Sequence, residues 1–196
     1  MKNIFKINFI CLIVFIFNTN LVAQQETGMT EEQKAWMEYM RPSKIHKMLS
    51  KSVGKWKTKT TFWMTPGAEP IISEGTSQNE MIMGGRYLQS KLTGTAWGMP
   101  MEGLNLEGFD NASQMFTSIW IDNLGTGTSI AKGKYDEKNN TINYSGSMVD
   151  PMTKGEMKFR ETINFIDKNL YVLKMYLNYE GKEFQSMEVE FTRIPD

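Results

Sequence analysis

Cysteine and histidine are nearly missing: the 196-residue chain has one of each. The single imidazole, His46, excludes multi-histidine metal sites and leaves any Ser-His-Asp triad resting on one residue of a helix-like segment. Cys11 sits in the N-terminal apolar run, so the rest of the chain has no thiol for disulfides, thiolate catalysis or zinc ligation. Stability must then come from a hydrophobic core. An excess of one charge is also lacking, since 22 basic side chains balance 22 acidic ones with no basic tract. That argues against nucleic acid or an anionic membrane surface as a partner. Fixed-period repeats and low-complexity linkers are absent. Gly125-Thr126-Gly127 has no following lysine or helix, which makes it a turn and no phosphate cradle. Nothing in the sequence implies a cofactor.

What is present begins with an address. Residues 1–23 carry Lys2 and Lys6, an apolar run from Phe9 to Phe17, and Leu21-Val22-Ala23. A short basic head, a short apolar core and a small residue before the cut describe a secretory signal peptide, too short to remain as a stable membrane anchor. The expectation is an exported protein, periplasmic or secreted, cut after Ala23, with no membrane anchor once the signal is removed. Residues 24–52 read as a polar segment with short helices. Thr30 and Gln33 fit a capping box, and Trp36, Tyr39 and Met40 make an apolar stripe at helical spacing. Arg41-Pro42 breaks that helix, after which Ile45, Met48 and Leu49 suggest another turn or two.

From Val53 the apolar period changes from 3.6 to two. Trp56, Thr58, Thr60 and Phe62 share one face of a strand, and Lys55, Lys57 and Lys59 take the other. Gly84-Gly85, between two strand-like runs, supplies the positive φ angles of a two-residue hairpin. The alternation recurs to the C terminus, broken by turns such as Asp136–Asn140, Asp150–Gly155 and Glu180-Gly181. Residues 53–196 therefore read as about ten strands with short connections. No segment is long enough for crossover helices, so the sheet is an antiparallel meander, and closing it into a barrel buries one face and removes the edges.

Several short motifs recur in a set order: Gly84-Gly85-Arg86-Tyr87-Leu88, Gly108-Phe109-Asp110-Asn111, Trp120-Ile121-Asp122 with Gly125-Thr126-Gly127, Asp150-Pro151 and Thr192-Arg193. In these the chain resembles the domain-of-unknown-function family 1579, over roughly Val53 to Arg193. The resemblance implies an all-β, lipocalin-like barrel and brings no activity or catalytic residue with it.

Four charges fall in phase with apolar faces. Arg86 shares a face with Leu88 and Leu92, Asp122 with Phe116 and Trp120, Glu161 with Phe159 and Ile163, and Arg193 with Val189 and Phe191. A charge in an apolar interior must pair, reach water or meet a ligand. The plainer reading is a strand-end charge in an ion pair. The functional one makes Arg86, Asp122, Glu161 and Arg193 a polar floor or rim to a ligand cavity, with Trp120 in its wall and Trp97, in a loop, as a gate. Sixteen methionines suit an irregular core or a pliable pocket better than a thioether metal site. The expected function is non-enzymatic binding of a small apolar or amphipathic molecule inside the barrel. Two alternatives stand beside it: an enzyme using carboxylates such as Asp122 and Glu161 for acid-base chemistry, and a filled barrel acting as a protein-interaction module. Oligomeric state is not readable.

Overall fold

The structure, a computed structural model, describes residues 28–195. The signal peptide expected at residues 1–23 lies outside them. Contacts divide the chain after Glu38. Helix α1 (Glu31–Met40) crosses that point, and its start carries the anticipated capping box, with Thr30 and Gln33 each accepting the other's backbone N–H. Glu31 and Glu32 in its first turn suit the positive end of the helix dipole.

Helix α2 (Lys44–Leu49) opens on Ser43, whose hydroxyl accepts the Ile45 N–H. His46 takes the part usually played by glutamate, its Nδ1 accepting the Ser43 N–H at 2.9 Å. The imidazole is buried, and burial lowers its pKa. The histidine is therefore a helix cap away from solvent. A 3₁₀ turn, Ser50–Ser52, leads into the sheet.

Ten strands follow: β1 (Gly54–Phe62), β2 (Ile71–Ile82), β3 (Tyr87–Ala96), β4 (Met99–Asp110), β5 (Met115–Asp122), β6 (Ser129–Asp136), β7 (Thr141–Val149), β8 (Glu156–Phe165), β9 (Leu170–Tyr179) and β10 (Lys182–Arg193). Each pairs antiparallel with the next, and β10 returns to β1, closing an all-β barrel. Turn chemistry explains the order. Trp97 and Gly98 both have positive φ, 53° and 78°, the pair of left-handed residues that joins two strands without splaying them. The Gly84-Gly85 hairpin is longer than the two residues expected. Met83 also turns left-handed, and both Gly85 and Arg86 donate to the Ile82 carbonyl, so the loop spans Met83–Arg86.

One end of the barrel is plugged by the segment from α2 to the 3₁₀ turn. The Trp56 indole and the Asn79 amide both donate to the Ser52 carbonyl, and Asn79 also donates to the Tyr171 hydroxyl. Tyr171 meets Trp56 edge-on and stacks flat on Phe191. The opposite end, where the β3–β4 and β5–β6 turns lie, carries Trp97 and Asp122.

Candidate functional site

Side chains from alternate positions of all ten strands point inward, yet they leave a cavity of about 300 Å³. Its wall is largely apolar, with Leu88, Leu92, Phe159, Ile163, Leu173 and Met175 among the lining residues. At the plugged end it reaches Leu49 and Ser52, and at the other end Trp97, Asp122 and Leu124.

Two carboxyl groups interrupt the apolar wall. Glu107 of β4 is only 4% exposed and accepts a hydrogen bond from the Tyr144 hydroxyl. Glu161 of β8 is 9% exposed, lines the same cavity, and has no hydrogen-bonding side chain among the described residues. Register assembles the group: Glu107 lies opposite Leu88 and Ser118, and Tyr144 lies opposite Glu161. The Tyr144 ring can lie flat along the sheet because its other neighbour is Gly133, where a Cβ would stand 2.6 Å from the ring. Burial raises Glu161 to about 8, helped by the nearby Glu107 charge. Burial likewise raises Glu107 to about 7, while the bond from Tyr144 pulls it back. The same desolvation and the Glu107 charge push the Tyr144 phenol well up. Near neutral pH the pair can therefore hold a proton, release one, or accept a donor from a guest.

Of the residues singled out from the sequence, Trp97, Trp120, Asp122 and Glu161 line the cavity. Trp97 is 49% exposed at the mouth, with its ring tilted against Phe62. The Asp122 carboxylate is already engaged: it accepts the Trp120 indole N–H at 2.6 Å and the backbone amides of Leu124 and Gly125. It therefore shapes the rim, and the carboxyl brought beside Glu161 is that of Glu107. Arg86 and Arg193 are not in the cavity wall. Arg86 lies in the β2–β3 loop, outside the strand whose phase it follows, and donates to the carbonyls of Met83 and Met40. It borders a second hollow of about 520 Å³ with Arg41, His46 and Asn111. Arg193 sits at the plugged end, over the Trp56 ring, donating to the carbonyls of Lys51, Val53 and Lys168. Both arginines continue an apolar phase beyond the length of barrel where that phase means interior.

Glu107 was missed because β4 reads backwards. In Gly103-Leu104-Asn105-Leu106-Glu107 the leucines invite an inward face, but Leu104 and Leu106 lie outside, and Asn105 and Glu107 inside. The signal that could have found it is the Trp97-Gly98 turn, whose register sets Glu107 beside the inward Leu88. Methionines 101, 148, 175 and 187 line the cavity as packing, and the described residues hold no group of three His, Cys, Asp or Glu placed to share a metal ion.

Gly103 makes room for the rim. A Cβ there would stand 2.2 Å from the Trp120 ring. Gly103→Ala should displace the indole from Asp122 and destabilise the protein by about 1–3 kcal/mol, measured by urea unfolding with near-ultraviolet circular dichroism on the tryptophan signal. Wild-type stability with an unchanged spectrum would reject this packing account.

Among solved structures, the crystal structure of Rv2717c from M. tuberculosis resembles the chain at 14% identity, covering 79% of this chain and all of that one with a TM-score of 0.59. At that identity the likeness speaks for the fold alone. No curated protein matches. The family model described as a protein of unknown function, DUF1579, matches residues 41–193, the whole barrel and its helical plug, and the chain belongs to that family.

Proposed function

We propose that the protein binds a small apolar or amphipathic molecule non-covalently inside its barrel, outside the cytoplasm. The observation that carries this reading is the cavity itself: about 300 Å³ of space walled mainly by leucine, methionine and aromatic side chains, in a barrel whose strands have no free edge. A pocket of that size and lining is at the lower end of the range that takes small ligands. Trp97 at the mouth and Trp120 braced by Asp122 would govern entry, and Glu161 would orient a polar group. The unfilled interior weighs against the filled-barrel reading.

Protein purified from its own host and sprayed under native conditions should carry a co-purifying small molecule, lost on denaturation. The same spectrum reads the mature N terminus, expected at Gln24. Ligand-free protein that also fails to take up any apolar probe would end the proposal.

A second reading has one observation in its favour. An acid-base enzyme would need a desolvated interior carboxyl with a raised pKa, and Glu107 and Glu161 are two such groups. Conversion of the co-purifying molecule by wild type, lost in both Glu107→Gln and Glu161→Gln, would select that reading over simple carriage.

A further inference from the structure

We propose that the cavity selects molecules with a primary ammonium head on an apolar body, held between Glu107 and Glu161, and rejects carboxylates. This inference rests on the cavity-binding reading above and names the class of ligand. Its first support is the inventory of the lining. The wall contains three acidic side chains, Glu107, Asp122 and Glu161, and no lysine, arginine or histidine. A carboxylate drawn into this space would face acceptors of its own sign without a cation to meet it. The second support is the satisfaction of each polar group. Asp122 is engaged by Trp120 and turn amides, Asn105 accepts from Ser118, and Glu107 has the Tyr144 hydroxyl on Oε1. Glu161 alone of the three acids has no hydrogen-bonding partner among the described residues, although it is nine-tenths buried and lines the open space. No buried side-chain oxygen of these residues is left unpartnered, so the Glu161 carboxyl opens onto the cavity, where a guest that supplies donors can reach it.

Donor count separates the candidate heads. An alcohol brings one O–H; a primary ammonium brings three N–H donors and the single positive charge that two adjacent carboxyls lack. The ionisable groups facing the pair are Tyr144 from β7, Tyr171 from β9 and, at the mouth, Asp122 from β5. Arg193 of β10 is within electrostatic reach of Tyr171, but its guanidinium is bound to main-chain carbonyls. An entering ammonium would therefore take the place of a proton: the carboxyl pair gives up H⁺ as the amine cation binds, and the site stays close to the same net charge. Binding should weaken as pH falls through the range in which the pair is protonated.

The experiment uses three eight-carbon probes, octylamine, octan-1-ol and octanoate, titrated calorimetrically into the full mature protein at about pH 8. Because one charge-assisted bond separates the heads, octylamine should bind about tenfold or more tighter than either of the others. Glu161→Gln should weaken octylamine by about tenfold and octan-1-ol by clearly less, so that the preference for the ammonium head collapses. Octanoate binding as tightly as octylamine, or octylamine unaffected by Glu161→Gln, overturns the inference while leaving the cavity reading in place. Failure of all three probes overturns both. Should Glu161→Gln not fold by circular dichroism, wild type decides: octylamine affinity must rise between about pH 6 and 8.5 with proton release that scales across buffers of different ionisation enthalpy, and a flat profile overturns the inference.

Discussion

Between about pH 5 and pH 9 the melting temperature should fall by on the order of 10 °C, and Glu161→Gln should remove most of that fall. The cause is the carboxyl pair in the cavity. Glu107 and Glu161 have folded-state pKa values raised from 4.5 to about 7 and about 8. Across the interval from about 4.5 to 8 the native protein holds protons that the unfolded chain has already released, so raising the pH favours unfolding. Below that interval both states are protonated and the pair contributes no pH dependence. Above it both are ionised, and the native state bears the full cost of buried charge. At about 1.4 kcal/mol for each pH unit of displacement, the loss amounts to several kcal/mol. At the acid end the trend reverses. Asp110, Asp136 and Asp150, each held below the usual carboxylate range by turn hydrogen bonds, and Glu183, held down by Arg160, lose their stabilising contribution as pH drops through their lowered values. The maximum should therefore lie near pH 5. A glutamine in place of Glu161 keeps the shape without the charge, and should be more stable than wild type at pH 9 by about 2–3 kcal/mol after the cost of its own buried amide. A melting temperature that rises or stays level from pH 5 to 9, or a Glu161→Gln protein weaker than wild type at pH 9, would contradict this.

Arg193→Lys should destabilise the protein by about 1–3 kcal/mol and leave probe binding in the cavity unchanged. Arg193 satisfies three backbone carbonyls, those of Lys51, Val53 and Lys168, and its guanidinium lies 4.0 Å above the Trp56 ring centroid. It thereby ties the start of β1 and the β8–β9 turn to the end of β10 beneath the plug. Lysine keeps the charge, but its ammonium cannot span that fork or lie flat on the indole. The freed carbonyls are exposed and would turn to water, while the buried Trp56 would lose the group that covers it. Urea unfolding reads the loss, and octan-1-ol titration reads the cavity. Unchanged stability would show that the clamp is incidental, and altered probe binding would return Arg193 to the ligand site.

The two arginines and Glu107 show how far alternation carries. Period two in β1, β8, β9 and β10 places Trp56, Phe159, Leu173 and Val189 inside, as read from the residues alone. Turn residues with an evident conformational demand, such as Gly84, Gly85 and Gly181, marked connections, and all three have positive φ. Alternation states a phase, however, and not where a strand stops. Arg86 follows the inward phase of β3 but precedes its first paired residue, and so it belongs to a loop. Arg193 keeps the phase of β10 and pairs with Trp56, but at a depth already filled by the plug. In β4 the apolar residues themselves mislead, because Leu104 and Leu106 sit outside opposite Ile121 and Ile119 of β5, forming an aliphatic outer patch.

From its residue order alone, this protein reads as an antiparallel meander: strands of similar length, joined by turns too short to cross over, pair with their neighbours, and closure into a barrel is how such a sheet sheds its edges. Scarcity of cysteine and histidine likewise determined which chemistries are out of reach. Which groups share the enclosed space was decided only by the tertiary structure. Glu107 and Glu161 lie 54 positions apart in the chain and meet through the β4–β5 and β7–β8 registers around one interior. Pairing across a closed sheet depends on every turn length at once, and no local pattern contains that sum.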